Sequence, residues 1–343
     1  LAREEEEVRR VLAEIAAALA EVRADLAAAA EELAELDAAQ AKVLFGRVVD
    51  GRLVRPEGDA LVLREARHPL LDERLAGLRR ELFGSSERRD PDRRVVPLDF
   101  RLPDGVHTLV VSGPNAGGKT VVLKSVGLMV AMAACAIPLP VTAGSRIPRF
   151  DRLWCHIGDE QDVASDLSTF SGAMAATAEL LGAAGGRTLV LYDELGAGTD
   201  PLEGAALGLA LLEELTRRGC LTVASTHLAA IALAASAEAA MDNAAMEYDE
   251  GSERPTYRLR LGRPGRSRGL EIAHRMGVHG SIVDRARELL GGQHLELEHW
   301  LDRLERLESE LEAERRAAAV ARLEVERLRE RSAVELESLQ AER

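Results

Sequence analysis

Apolar residues at Val8, Leu12, Ile15, Leu19, Val22, Leu26, Ala29, Leu33 and Leu36 recur at alternating four- and three-residue steps. That spacing keeps a narrow stripe on one side of a helix, the a/d seam of a coiled coil. Residues 4–40 are therefore expected to form one long helix. At the other end Leu297, Leu301, Leu304 and Leu311 repeat similarly within Glu/Arg-rich sequence, and a second coil is expected there. The first pattern starts without a cap and the second stops mid-repeat, as expected of a piece cut from a longer protein. Between them the rhythm changes to short β-branched or Leu-rich runs bounded by Gly and Pro, which is how buried parallel strands read. Val106–Ser112, Thr188–Tyr192 and Leu221–Ser225 are the clearest, separated by helical stretches at Thr120–Ala136, Gly172–Leu181 and Leu202–Arg217. Strands alternating with helices imply βαβ units and a three-layer α/β sandwich. The expected division is a long helix over 1–42, a connector with short strands over 43–90 ending in a polar loop at Gly84–Pro91, a core over 91–262, a helix-turn-helix over 263–292 and the start of a coiled coil over 293–343.

Composition narrows the classes. A chain of 343 residues with 46% hydrophobic and 30% charged content can bury one large core and still carry helical extensions. No window approaches 18 apolar residues without a charge, so neither a membrane span nor a signal peptide is expected, and the chain reads as cytoplasmic. Cys135, Cys155 and Cys220 are far apart, with no metal-ligand spacing, and are expected to be reduced core thiols. The net charge of −14 argues against a non-specific nucleic-acid binder. Residues 1–42 hold 5 Lys/Arg against 11 Asp/Glu and residues 294–343 hold 9 against 14, so only −3 remains for the middle. The acidity of the two ends does not exclude a DNA groove elsewhere.

Chemistry enters at Gly113-Pro114-Asn115-Ala116-Gly117-Gly118-Lys119-Thr120, which fits GxxxxGK[ST] after a strand and opening a helix. Glycines let backbone N–H groups turn inward around phosphates, and the helix N-terminus adds partial positive charge. Lys119 brings a full charge to the β/γ oxygens, and Thr120 offers a hydroxyl to Mg²⁺; ATP and Mg²⁺ are the expected ligands. Downstream, an apolar strand ends in Asp193-Glu194, a pair suited to holding Mg²⁺ (Asp193) and polarising the attacking water (Glu194). A third strand leads into Thr226-His227, where an imidazole at the strand end would sense the γ-phosphate. Strand, phosphate loop, double acid and strand-end His in this order specify an ABC-type ATPase, whose sites form between two subunits. The LSGGQ element such ATPases present from the partner is absent. In its place Ser168-Thr169-Phe170 stands either as a simple helix N-cap or as a donor to a γ-phosphate.

GPNAGGKT, Ser168–Phe170, DELGAGTDP at Asp193–Pro201 and STH at Ser225–His227 resemble the ATPase domain of the MutS family. Ala66-Arg67-His68-Pro69-Leu70-Leu71 and His156-Ile157-Gly158-Asp159-Glu160-Gln161 are similar to its MutS-two subfamily, and the likeness runs over roughly residues 60–292. The resemblance implies that the phosphate loop, Lys119 and Thr120 hold ATP and Mg²⁺, that Asp193 is the metal acid and Glu194 the base, and that His227 senses the γ-phosphate. It implies that Ser168 reaches the nucleotide of the partner subunit. Tyr257 matches the ring that stacks on adenine, against the alternative of a strand Tyr packing on the sheet edge. Helix, Gly turn and helix over 267–286, with Arg263, Arg266 and Arg268 ahead, read either as a DNA-reading element or, as the resemblance and the apolar Leu270, Ile272, Ile282 and Val283 favour, as one that embraces a partner subunit.

Two departures matter. Nothing before the first helix carries the aromatic wedge with which MutS proper reads mismatches, and no nuclease constellation is visible, although the subfamily normally ends in a nuclease-type domain. The expectation is a homodimeric ATPase whose ATP cycle opens and closes a clamp, through helix 1–42 as the returning arm, on branched or double-stranded DNA, suppressing recombination. The alternative is a ribosome-splitting ATPase contacting the ribosome and its rRNA. A chromosome-condensing ATPase is disfavoured, because no long coil is inserted between Thr120 and Asp193.

Overall fold

The structure, a computed structural model, describes residues 2–84, 95–113, 117–158, 169–249, 254–265 and 269–289, with scattered positions between 303 and 329. Two compact units divide the chain at 267/268.

In the first unit the leading stripe forms helices α1 (Ala2–Glu21) and α2 (Arg23–Val49), with Val22 between them. Helix thus continues beyond residue 42, since a lone Gly46 weakens a helix without ending it. What ends it is Asp50, held left-handed at φ 50°, which turns the Gly51 N–H back onto the Gly46 carbonyl at 2.7 Å. Val8, Leu12, Ile15, Leu19, Leu26, Leu33 and Leu36 are all exposed, whereas Val49 at the far end is buried.

Strand β1 (Val62–Ala66) pairs antiparallel with β2 (Leu98–Arg101). Between them lies α3 (Ala76–Phe83); the polar loop expected to end at Pro91 falls, beyond Gly84, outside the described residues. The Arg67-His68-Pro69-Leu70-Leu71 run has a structural use here. Buried Asp72 accepts the Arg74 guanidinium at 2.7 Å and lies 3.4 Å from Arg67 Nε, while Arg67 Nη2 donates to the Val49 carbonyl at 3.1 Å. Burial alone would push the Asp72 carboxyl up, but the hydrogen bonds from Arg74 and the charges of Arg74 and Arg67 hold it below the usual range. The knot ties the end of α2 to this segment.

The main sheet has six strands in the order β4 (Arg152–His156), β5 (Thr188–Tyr192), β6 (Leu221–Thr226), β3 (Thr108–Ser112), β7 (Met241–Asp249) and β8 (Arg254–Leu261). All neighbours are parallel except β8, which runs antiparallel to β7. Every residue of β3 and β5 is buried, as covering both faces of a parallel sheet requires. Alternate residues serve opposite faces. Leu109, Val111, Leu189, Leu191 and Val223 cluster with Val122, Leu123, Val126 and Met129 of α4 (Lys119–Ala134). Val110, Val190, Tyr192 and Ala224 cluster with Leu180 of α5 (Thr169–Ala183), Leu211, Leu212 and Leu215 of α6 (Pro201–Arg217) and Ile231 of α7 (Ala229–Ala237). Each fully buried Leu or Val is worth about 1.5–3 kcal/mol of transfer free energy, which is what fixes helices on both faces. The chain is mixed α/β with a mostly parallel sheet.

The second unit carries α8 (Gly269–Arg275), a turn with Gly277 at φ 93° and a helix over residues 280–289. Val283 is buried there, while Met276, Ile282 and Leu289 are exposed. The coil expected over 293–343 lies largely outside the described residues. The three cysteines are free, but only Cys220 is a core thiol; Cys135, at the end of α4, and Cys155, on edge strand β4, are exposed. No described helix is long and apolar enough to cross a membrane.

Candidate functional site

Parallel pairing brings the C-terminal ends of four neighbouring strands to one edge of the sheet. The registers His156↔Tyr192, Tyr192↔Ala224 and Ser112↔Thr226 set His156, Asp193-Glu194, Thr226-His227 and Gly113 in a row. In open α/β sheets this edge, where helices begin and the connections change direction, is where ligands bind.

Of the glycine-rich loop, Gly113 and Gly117–Thr120 are described; Pro114, Asn115 and Ala116 lie outside the described residues. Gly113 takes φ 125° and Gly118, capping α4, takes φ 96°, conformations that favour glycine. Lys119, the first residue of α4, is buried and donates from Nζ to the Gly113 carbonyl. Burial pulls its amine below the usual lysine range, and the charges of Glu194 and Asp193 work in the opposite direction. A desolvated ammonium beside two carboxylates is a group whose charge an incoming polyanion would stabilise.

The acids are held with equal care. Asp193 N–H donates to the His156 carbonyl at 2.8 Å, and its Oδ1 accepts from Ser225 Oγ. Glu194 adopts φ 52°, uncommon for a residue with a side chain, and its N–H donates to Ser225 Oγ at 2.9 Å. The remainder of DELGAGTDP builds the next helix. Asp200 caps α6, its Oδ1 accepting from Leu202 N at 2.9 Å and Glu203 N at 3.2 Å, with Pro201 opening the helix. A methyl added at Gly204 would stand 2.1 Å from the Gly196 carbonyl oxygen. Only glycine lets α6 lie this close beneath the loop that follows the acids.

Thr120, Asp193 and Glu194 line one cavity of about 570 Å³, together with His156, Phe170, Tyr192 and the inner face of α6. Ser168 lies outside the described residues, but α5 begins beside it at Thr169, and Phe170 packs against the position a Cβ would take at Gly198, at 3.3 Å. His227 stands at the end of β6, exposed, and is not among the cavity's lining residues. Tyr257 is on β8 as the sheet-edge reading requires, yet its ring lies 3.3 Å from where a Cβ at Gly118 would be, against the start of α4. Its φ of 59° and the register shift between Met246 and Tyr248 accompany that approach.

Two features were not read from the sequence. Ser225 is the buried partner of both acids; the sequence offered it only as the first residue of the STH run, with no role attached. Trp154, His156 and Tyr192 form a ring cluster, with centroids 5.0 Å apart for His156–Tyr192 and 5.6 Å for Trp154–Tyr192.

Comparison with known proteins bears on this edge directly. Residues 109–294, more than half the chain, match the family described as MutS domain V. The chain belongs to the MutS family. That match starts in β3 and takes in every site residue just described. Proteins named Endonuclease MutS2 align along nearly the whole chain: the one from Pelotomaculum thermopropionicum is 42% identical over 332 residues, 96% of this chain and 40% of the relative. That from Symbiobacterium thermophilum is 40% identical over 315 residues, 91% of this chain and 37% of the relative. That from Thermotoga maritima is 35% identical over 332 residues, 96% and 41% respectively. The chain therefore spans about two fifths of the length of the curated relatives it matches.

Proposed function

We propose that this chain is the ATP-hydrolysing part of a longer MutS-type protein, with an ABC-type, three-layer core. The observation that carries the reading is one cavity lined by Thr120, Asp193 and Glu194 beside the buried ammonium of Lys119. Thr120 hydroxyl and the Asp193 carboxylate are hard oxygen donors of the kind Mg²⁺ takes, and they line the same cavity. Bound there, Mg²⁺ would neutralise developing phosphate charge. Backbone N–H groups at the start of α4 and Lys119 hold the phosphates, Glu194 takes a proton from the attacking water, and Tyr257 stacks on the adenine. His227 senses the γ-phosphate once nucleotide is bound.

Homodimerisation through residues 263–292 follows from the same reading, with exposed Met276, Ile282 and Leu289 as its apolar contacts. Two composite sites would then each take Ser168 from the opposite subunit. For the longer protein the proposal is a clamp on branched or double-stranded DNA, worked by the ATP cycle through α1 and α2 and restraining recombination.

The direct test is phosphate release from ATP by the purified chain with Mg²⁺, and again with excess EDTA. Turnover that needs Mg²⁺ is expected; absence of turnover in the chain and in its full-length parent alike would remove the reading. The Lys119 environment adds a pH dependence. Its folded-state value is lowered below the ordinary 10.5, so nucleotide affinity is full while the amine is charged and declines as pH rises through the lowered value. Above that point binding takes up a proton. Calorimetric titrations in buffers of different ionisation enthalpy would register it, and affinity unchanged up to the ordinary lysine range would contradict it.

A further inference from the structure

Three consecutive residues after β5 are pinned to one serine on the neighbouring strand. Ser225 Oγ donates its hydrogen to Asp193 Oδ1 and accepts the Glu194 N–H at 2.9 Å, and the Ser225 carbonyl accepts the Leu195 N–H at 2.8 Å. Thr226 extends the seam, donating to the Leu195 carbonyl at 3.0 Å and accepting the Leu228 N–H at 3.1 Å. Both hydroxyls are fully buried. His227 is the residue enclosed between these anchors.

We infer that Ser225 is a positioning residue for the hydrolytic reaction, fixing the Asp193 carboxylate and the left-handed backbone of Glu194 from the strand that leads into His227. The inference rests on the ATPase reading of the site. A hydroxyl has one hydrogen, and here it goes to the carboxylate, so the lone pairs remain for the Glu194 N–H. Both bonds can therefore form at once. Donation to Oδ1 sets the rotation of the Asp193 carboxylate and leaves Oδ2 as the oxygen for the metal or its water. Acceptance from Glu194 N–H holds a φ of 52° that an unanchored Glu would leave. Because His227 follows two residues later, immediately past the end of β6, a shift of the β6 end on meeting the γ-phosphate would carry both acids with it.

The buried hydroxyl bonds both Asp193 Oδ1 and the Glu194 N–H, so Ser225→Ala removes two hydrogen bonds while keeping the strand. The experiment compares wild type, Ser225→Ala and Ser225→Thr in steady-state ATP hydrolysis, with Mg²⁺ titrated at saturating ATP. Ser225→Ala is expected to lower kcat by roughly tenfold to a hundredfold, the range set by a misplaced catalytic group, with the ATP KM changed little and the half-saturating Mg²⁺ concentration raised. Ser225→Thr, which keeps the hydroxyl, is expected to restore most of both. An alanine variant with unchanged kcat and Mg²⁺ requirement overturns the inference, as does a threonine variant that folds and is no better than alanine. Failure of wild type itself to hydrolyse ATP would instead strike the underlying reading.

Discussion

Lys119→Ala should abolish measurable ATP binding and leave the fold intact. The side chain is buried and donates to the Gly113 carbonyl at the start of the glycine-rich loop. Its amine is held below the usual lysine range because burial costs the charge more than Asp193 and Glu194 return. The empty protein gains little from keeping that charge, and the thermal midpoint of the variant should equal or slightly exceed that of wild type. A polyanion reverses the balance, since bound at the glycine-rich loop it would become the ammonium's main partner. Losing one member of a buried charge pair costs about 2–5 kcal/mol, or roughly 30- to 4,000-fold in affinity. Fluorescent-nucleotide titration beside a melting curve separates the two effects. Retained affinity in a folded variant would show that the loop's backbone alone binds the nucleotide, whereas loss of both affinity and fold would make Lys119 a structural cation.

How much of this was legible beforehand depends on how local the signal was. The positions of the glycine-rich loop, of Asp193-Glu194 and of strands β3 and β5 were legible because each is a short local run, a mostly apolar strand followed by glycines or acids. β7 (Met241–Asp249) did not, for its Ala- and acid-containing sequence has poor strand propensity and is a strand because β3 and β8 flank it. β4 was missed for a related reason: an edge strand reading Arg-Leu-Trp-Cys-His is partly exposed and needs no continuous apolar run. The DELGAGTDP motif was read for its acids, while its second half is helix architecture, with Asp200 as cap and Gly204 just beyond it as the close approach. Tyr257 shows the opposite failure. Nothing in Pro255-Thr256-Tyr257 announces a left-handed strand residue, yet that conformation accompanies the ring's approach to the start of α4. Ser225 needed pairing between β5 and β6 before its neighbours were known. Pairwise contacts across strands are what a single sequence hides.

Glu194→Gln should bind ATP and hardly hydrolyse it. Gln keeps the length of the side chain and tolerates the same backbone, but has no basic oxygen to receive a proton, and loss of a general base lowers kcat by about 10²- to 10⁴-fold. Affinity should hold or improve. The carboxylate supports the charge of Lys119, but it also repels phosphate oxygens entering the same cavity, and the amide removes that repulsion. Single-turnover chemistry with radiolabelled ATP, run beside equilibrium binding, gives both numbers. If the working unit is a dimer closed by ATP, light scattering should also show the variant shifting to twice the mass when ATP and Mg²⁺ are present, because the step that reopens it is blocked. Turnover equal to wild type would remove Glu194 as the base. Slow turnover with ATP bound and no change in mass would keep the base and reject closure of a dimer by this chain alone. Such an outcome would direct attention to the three fifths of the relatives' length that this chain does not match.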